Sequence, residues 1–356
     1  GPLKDLVADG IVGGVGGVIV FLPNILILYF CISFMEDSGY MARAAFIMDK
    51  VMHRIGLHGK SFIPLIMGFG CNVPAIMASR PIESRSSRII TILINPFMSC
   101  SARLPVYVLL VGTFFPTHAA LVFMGLYILG ILVAMLTARL LRRFLFKKDE
   151  TPFVMELPPY RLPTLRASLR HTWEKGKEYI RKMGGIILFA SIVVWALNYF
   201  PMHRQQSYEV TVAENMDDDI IDPSRDSYLE MMGKFINPVM KPLGFNWRAS
   251  VAALAGVPAK EIVVSTLGVL YTGDGADDSE RLGARLSSST AGRQGFTPAV
   301  ALSFMIFILL YCPCLATVAA IARETGTWWY SLFSIVYNTA VAWLIAFAVY
   351  RIVLLL

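Results

Sequence analysis

Four long apolar stretches recur along this chain: GIVGGVGGVIVFLPNILILYFCISF (10–34), LVFMGLYILGILVAML (121–136), GGIILFASIVVWALNYF (184–200) and SLFSIVYNTAVAWLIAFAVY (331–350). Each approaches the roughly 20 residues that a helix needs to cross a bilayer. Charged residues make up only 16% of the 356 positions, against about a quarter in soluble domains. The expected fold is therefore all-α and polytopic, with the lipid bilayer as its solvent. The first stretch has no small-residue cleavage site and runs to full spanning length, so it does not read as a cleavable signal. Cys31, Cys71, Cys100, Cys312 and Cys314 are an odd number lying in or beside apolar segments, unlike an extracellular disulfide framework. The net charge of +7 sits beside the spans and reads as topology; no nucleic-acid partner is expected.

Basic residues orient the chain. ARLLRRFLFKK (138–148) continues into RLPTLRASLRHTWEKGKEYIRKM (161–183), a region the positive-inside rule places in the cytoplasm. The acidic loop 203–226 suits the outside. From these anchors the reading gives eight transmembrane helices, at 11–34, 60–79, 88–116, 119–146, 184–200, 248–271, 297–322 and 327–352. Both termini and the loops 80–88 and 272–295 then lie in the cytoplasm. MEDSGYMARAAFIMDKVMHRIGL (35–57) is too charged to span, and its apolar residues recur every three or four positions, as in an interfacial amphipathic helix. KFINPVMKPLGF (234–245) has a similar look.

These segments expose an internal repeat. VMHRIGLHGKSFIPLIMGFGCN (51–72) lies over VMKPLGFNWRASVAALAGVPAK (239–260) without a gap, pairing Gly56 with Gly244, Lys60 with Arg248 and Gly68 with Gly256. With an insertion in the 272–295 loop, MSCSARLP (98–105) falls over CPCLATVA (312–319), and Cys100 pairs with Cys314. The chain divides into halves 1–148 and 184–356, joined by a basic linker 149–183, the second half carrying an external loop 201–247. With four spans each, the halves form a parallel repeat. Transporters with repeats bind substrate where the halves meet, on helices broken near the midplane.

Polar groups at membrane depth are costly and mark function. In GFGCNVPAIMASR (68–80), Gly68, Gly70 and Pro74 interrupt a span, and Pro74 frees the Gly70 carbonyl four residues back. Irregular backbone survives there only against protein or a water-filled cavity. Cys71, Asn72 and freed carbonyls suit a cation site; the alternative is a kinked packing helix. In NPFMSCSARLP (95–105), Pro96 and Pro105 bracket Met98, Cys100, Ser101 and Arg103. Arg103 shares a helix face with Cys100 and favours a thiolate there, or else pairs with Glu261 to hold the halves together. In AGVPAKEIVVSTLG (255–268), Lys260 and Glu261 follow the Pro258 break; Glu261 suits a cation or proton, and Lys260 suits capping carbonyls or a carboxylate. In YCPCLA (311–316), residues two apart on an ideal helix point away from each other. Cys312 and Cys314 reach one site only if Pro313 breaks the helix.

Glu36 and Asp37 stand at the expected outer end of the first span. They suit cation entry, or equally the N-cap and first turn of the amphipathic helix. No His pair has metal-ligand spacing. Thiols, an amide, a carboxylate and carbonyls together favour a borderline or soft divalent cation over Ca²⁺ or Mg²⁺. Fe²⁺, Mn²⁺, Co²⁺ and Zn²⁺ all satisfy that chemistry.

EDSGYMARAAFIMDK (36–50), GKSFIPLIMGFGCNVPAIMASR (59–80), RIITILINPFMSCSARLPVY (88–107) and VPAKEIVVSTLGVLY (257–271) resemble the membrane region of ferrous iron transport protein B, FeoB, with its paired Gate motifs. The resemblance covers essentially the whole chain. It implies Fe²⁺ uptake across the bacterial inner membrane, with Cys71 and Cys100 in the gate positions. It also implies a cytosolic GTP-binding domain that biases the pore, small cytosolic Feo accessory proteins and a homo-oligomer. No GxxxxGK[ST] phosphate loop occurs within these residues, so GTP enters only through a domain outside this sequence, and the chain itself is not expected to be an enzyme. A Cys-Pro-Cys also marks metal-transporting P-type ATPases, but the DKTG-type motif they need is missing. A nucleoside or other organic-solute carrier would line its pocket with aromatics and amides instead of thiols. An intramembrane enzyme would need a pattern such as HExxH or GxSxG, and neither occurs.

Overall fold

The computed structural model describes residues 13–145, 160, 163–174, 176–177, 181, 185, 192, 228–272, 282–283, 286 and 296–355. Nearly all of the expected span 184–200, most of the linker 149–183 and the loop 203–226 lie outside the described residues. Among the described residues, α-helices run, in order, through Gly13–Asp37 (α1), Tyr40–Ile55 (α2), Phe62–Gly68 (α3), Asn72–Met77 (α4), Arg85–Ile94 (α5), Leu104–Phe114 (α6), Ala119–Phe144 (α7), Tyr228–Met240 (α8), Trp247–Ala255 (α9), Ile262–Thr272 (α10), Pro298–Leu310 (α11), Leu315–Thr325 (α12) and Trp328–Leu355 (α13). Among the described residues, four stretches are long and apolar enough to cross a membrane: Arg85–Phe114, Pro116–Phe144, Pro298–Thr325 and Trp328–Leu355. They match the expected spans at 88–116, 119–146, 297–322 and 327–352, and the fold is an all-α polytopic membrane protein. α2 is the expected amphipathic helix: Met41, Ala45 and Met52 are buried, while Phe46, Ile47 and Val51 face outward.

The segments 60–79 and 248–271 do not form spanning helices. α3 and α4 have 7 and 6 residues, about 10 Å each at 1.5 Å per residue, a third of a hydrocarbon core. They pack on each other, and the segment leaves where it enters: Lys60 Nζ lies 2.8 Å from Glu83 Oε1. The second half repeats the device. α9 and α10 pack together, Asn246 Nδ2 donates to the Tyr271 hydroxyl at 2.7 Å, and Arg248 stands over the Tyr271 ring. Both are re-entrant helical hairpins.

This change reverses the second half. α12 packs on α4 and α5, and α11 packs on α6, so α5–α6 and α11–α12 run antiparallel. The halves are inverted, where the sequence suggested parallel. One reason suffices: a hairpin that turns back in place of a crossing leaves an odd number of crossings per half. The side assignments change with it. α2 lies at the basic end of α7, where a Cβ on Gly56 would stand 2.9 Å from Arg142 Cγ. Asp37 accepts from Ser168 Oγ at 3.4 Å and Arg43 lies over the Tyr160 ring. Segment 35–57 therefore shares the end of the basic cluster. Arg80 Nε donates to Glu324 Oε2 at 2.9 Å, which brings the last turn of α12 to the same basic end and sends Leu355 away from it. Within the 272–295 loop, Gly283 sits beside Thr113 at the far end of α6, opposite the expected side.

The aligned glycines show the repeat in atomic terms. Gly56 and Gly244 both adopt left-handed φ, 87° and 82°, a conformation that glycine takes without the Cβ penalty. A Cβ on Gly68 would meet Asn95 Oδ1 at 2.6 Å, and one on Gly256 would meet the Tyr311 hydroxyl at 2.7 Å. In each half the hairpin therefore touches the break in the next helix through a glycine.

Candidate permeation site

Four helix breaks converge between the inverted halves: Phe69–Cys71, Asn95–Arg103, Gly256–Glu261 and Tyr311–Cys314. The prolines sit where helices begin. Pro105 is the second residue of α6 and Pro74 the third of α4, positions whose N–H has no intrahelical acceptor. The break thus precedes Pro74 instead of forming at it. Pro258 lies in the α9–α10 turn and Pro313 in the extended link between α11 and α12. Gly68 ends α3 and Gly70 lies in the hairpin turn.

Three thiols share one structural role. Cys71 is the N-cap of α4 (φ −152°, ψ 130°), Cys314 the N-cap of α12 (φ −62°, ψ 155°), and Cys100 the N-cap of the 3-10 turn entering α6 (φ −76°, ψ 159°). None accepts a capping hydrogen bond from its own helix. Cys71 and Cys314 pack against one cluster formed by Tyr29, Val73, Ile76 and Ala316 with its neighbours. Cys71, Cys100 and Cys314 lie within electrostatic reach of one another, and Glu261 is within reach of Cys71 and Cys100. Cys312 differs: it is buried, and its Sγ donates to the Pro313 carbonyl at 3.3 Å. Cys31 is exposed and remote in sequence from the breaks. Among the described residues no group of three or more His, Cys, Asp or Glu side chains gathers as a metal cage.

The remaining polar groups hold the breaks. Ser101 donates to the Gly70 carbonyl through both its N–H (3.2 Å) and its Oγ (3.0 Å), so the carbonyl left over by Pro74 ties the first hairpin to the α5–α6 break. Arg103, 1% exposed, donates to the carbonyls of Met98 and Pro96, each at 3.1 Å; it does not pair with Glu261. Lys260, 2% exposed, donates from Nζ to the Cys312 carbonyl at 2.6 Å and stands 3.3 Å from the Tyr311 ring centroid, a cation–π contact. The Asn72 amide nitrogen donates to the Gly68 carbonyl (3.1 Å), the Asn95 side-chain oxygen (3.2 Å) and the Asn95 carbonyl (3.3 Å), in the orientation those acceptors require. Asn72 is therefore committed to the scaffold. Lys260, its counterpart in the repeat, does the same work in the second half.

Glu36 and Asp37 form the last turn of α1, and the N-cap of α2 is Gly39, so the capping alternative fails. Glu36 lines a cavity of about 470 Å³ with Lys60 and Arg80 at the basic end, on the side opposite to the expected outer one.

Sequence reasoning missed three participants. Asn95 donates to the Pro64 carbonyl at 3.0 Å and receives Asn72. Tyr311 donates to the Ala253 carbonyl at 3.1 Å beneath Lys260. Thr317 Oγ1 lies 3.0 Å from Cys314 Sγ. Thr317 had a legible signal: it falls at the Arg103 position of the repeat, three residues after the thiol.

Discontinuous helices meeting between inverted repeats define the architecture of a membrane transport protein. The chain belongs to the Gate family: the profile described as "Nucleoside recognition" matches residues 18–114 and 180–328. The profile of the ferrous iron transport protein B C terminus also matches, at residues 123–175. The chain is 56% identical, over 99% of its length and 44% of the relative's, to an "Fe(2+) transport protein A/Fe(2+) transporter FeoB fusion protein" of Porphyromonas gingivalis. It is 45% identical to an "Fe(2+) transporter FeoB" of Staphylococcus aureus and 43% to one of Methanocaldococcus jannaschii, each over 98% of this chain and 49% of the relative. The chain thus spans about half the length of the curated relatives it matches. No solved structure matches it.

Proposed function

We propose that this chain conducts ferrous iron across the bacterial inner membrane, passing it between Cys71, Cys100 and Cys314 at the meeting of the two halves. The observation that carries the reading is the shared N-cap placement of these thiols at breaks from both halves. Soft thiolate ligands select soft and borderline metals, and ligands spread along a path release an ion more readily than a closed cage. Glu261 adds a carboxylate within electrostatic reach of two of the thiols, while Arg103 and Lys260 hold the backbone of the breaks. Met98 and Cys312 support the path from buried positions. Positive-inside asymmetry makes the basic end cytoplasmic, so Glu36 and Asp37 belong to the exit. The functional division is into Gate halves 1–148 and 184–356 with the linker 149–183. A FeoA-type partner acts with it, as the name of one relative suggests; a GTP-binding domain outside this sequence and self-association complete the proposal, and the chain itself catalyses no reaction.

The Gate description favours an organic solute as the second reading. Against it, the amides Asn72 and Asn95 bind each other and backbone carbonyls, leaving thiols as the distinctive groups. Fe²⁺ uptake in cells carrying the complete protein, compared across Cys71→Ser, Cys100→Ser and Cys314→Ser, tests the proposal. Each substitution is expected to cut flux at least about tenfold, roughly 1.4 kcal/mol at a limiting barrier. Wild-type flux in all three would end the thiol-path reading.

A further inference from the structure

An apolar groove of about 200 Å³ runs between α2, α3 and α7, lined among others by Val51, Ile55, Leu57, Met98, Ala134 and Met135. No polar side chain lines it. At its basic end two arginines border the link from α2 to α3. Arg142 lies against Gly56, between the groove residues Ile55 and Leu57, and two helical turns along α7 from Met135, on the same face. Arg88 is one turn before Thr91, whose Oγ1 donates to Ser61 at 2.8 Å, at the other end of that link.

Both guanidinium groups carry buried donors without acceptors: Nε and Nη1 of Arg142 and Nε of Arg88. A buried, unsatisfied donor on a cation is costly, and among the described residues no acid answers these two. Asp49 of α2, the acid that touches the link, accepts instead from the Gly59 N–H at 3.0 Å and faces His53 Nδ1 at 3.3 Å. Around the mouth, Phe46, Ile47 and Phe144 are exposed apolar side chains at the level where an interfacial helix meets lipid.

We propose that this groove binds one anionic glycerophospholipid, its phosphate on Arg88 and Arg142 and part of one acyl chain along α7 toward Met98. Phosphate supplies the acceptors that the guanidinium forks lack, and basic pockets between membrane helices on the cytoplasmic side are places where such headgroups bind. The wholly apolar lining fits a hydrocarbon chain and excludes a hydrated anion from all but the mouth.

Thermal unfolding of the delipidated chain in detergent tests this with three additives: dioctanoyl phosphatidylglycerol, dioctanoyl phosphatidylcholine and inorganic phosphate. At a hundredfold excess over Kd, the phosphatidylglycerol is expected to raise Tm by roughly 5 °C, the other two by far less. The R88Q/R142Q double variant removes the headgroup site, and Val51→Trp fills the groove without touching either arginine. Each is expected to lose the phosphatidylglycerol response. An equal shift with phosphatidylcholine, an equal shift with inorganic phosphate, or an undiminished response in the variants overturns the proposal. If the double arginine variant does not fold, Val51→Trp decides alone.

Discussion

Lys60 and Glu83 close the mouth of the first hairpin with a 2.8 Å contact, and Arg248 and Tyr271 stand at the corresponding positions of the second. The interval between the partners is the same in both halves, so the repeat extends to the residues that make each hairpin return to its entry side. Everything else about sidedness follows from that return.

The first test is topological. Single cysteines replacing Arg54 and Arg85, both exposed, in an otherwise cysteine-free chain are expected to label from the same face of the membrane. Cysteines replacing Thr117 and Lys241 should label from the other. Labelling of positions 54 and 85 from opposite faces would restore a spanning 60–79 segment and overturn the inverted repeat.

Arg80 and Glu324 join the two halves at the basic end, with side chains 50% and 14% exposed. A partly exposed pair in a two-pronged geometry sits near the upper end of surface ion pairs, about 1 kcal/mol. A double-mutant cycle with Arg80→Ala and Glu324→Ala, read by thermal unfolding, is expected to give a coupling of that size. The charge-swapped pair Arg80→Glu with Glu324→Arg should recover most of it. Additive single effects would mean that the contact does not hold the halves.

Gly68→Ala and Gly256→Ala each place a methyl into occupied space, against Asn95 and Met98 in one half and Tyr311 in the other. Overpacking of this kind costs about 1–3 kcal/mol. Both variants are expected to melt several degrees below wild type and to lower Fe²⁺ flux, while Gly112→Ala, whose Cβ meets open space, leaves both unchanged. A Gly68→Ala protein with wild-type melting would contradict the close hairpin contact.

His58 provides a pH handle outside the spans. Its Nδ1 accepts from the Lys60 N–H at 3.2 Å, which requires an unprotonated nitrogen. Burial first, and the neighbouring Lys60 second, hold its pKa below the usual 6.5. The unfolded chain therefore binds this proton more readily, so the contribution to stability is complete above 6.5 and shrinks as pH falls below it. Melting followed from pH 7.5 to 5.5 should show a decline that His58→Asn, which keeps a capping acceptor, reduces. Identical slopes for the two proteins would remove His58 as a source.

Much of the site was legible because its chemistry is local. A proline or glycine near a thiol marks a helix break, and Cys71 after Gly70, Cys314 after Pro313 and Cys100 between Pro96 and Pro105 do stand at breaks. Which polar groups are taken up in holding the breaks was not legible. Asn72 and Arg103 look like ligand and gate in sequence, yet the Asn72 amide is taken up by Asn95 and Gly68 and both Nη groups of Arg103 by the carbonyls of Met98 and Pro96, geometry that appears only once the helices break and cross.

By itself the sequence determined an all-α membrane fold, the positions of its breaks, and the offset that relates Gly56 to Gly244 and Lys60 to Arg248. Only the tertiary structure decided that the segments after Lys60 and Arg248 turn back before crossing. Hydropathy measures how much apolar chain is available, and a half-helix pair packed on itself satisfies that measure as well as one straight span does. Direction is lost in the count. It is recovered by contacts distant in sequence, Lys60 with Glu83 and Arg80 with Glu324, which set the two halves head to tail.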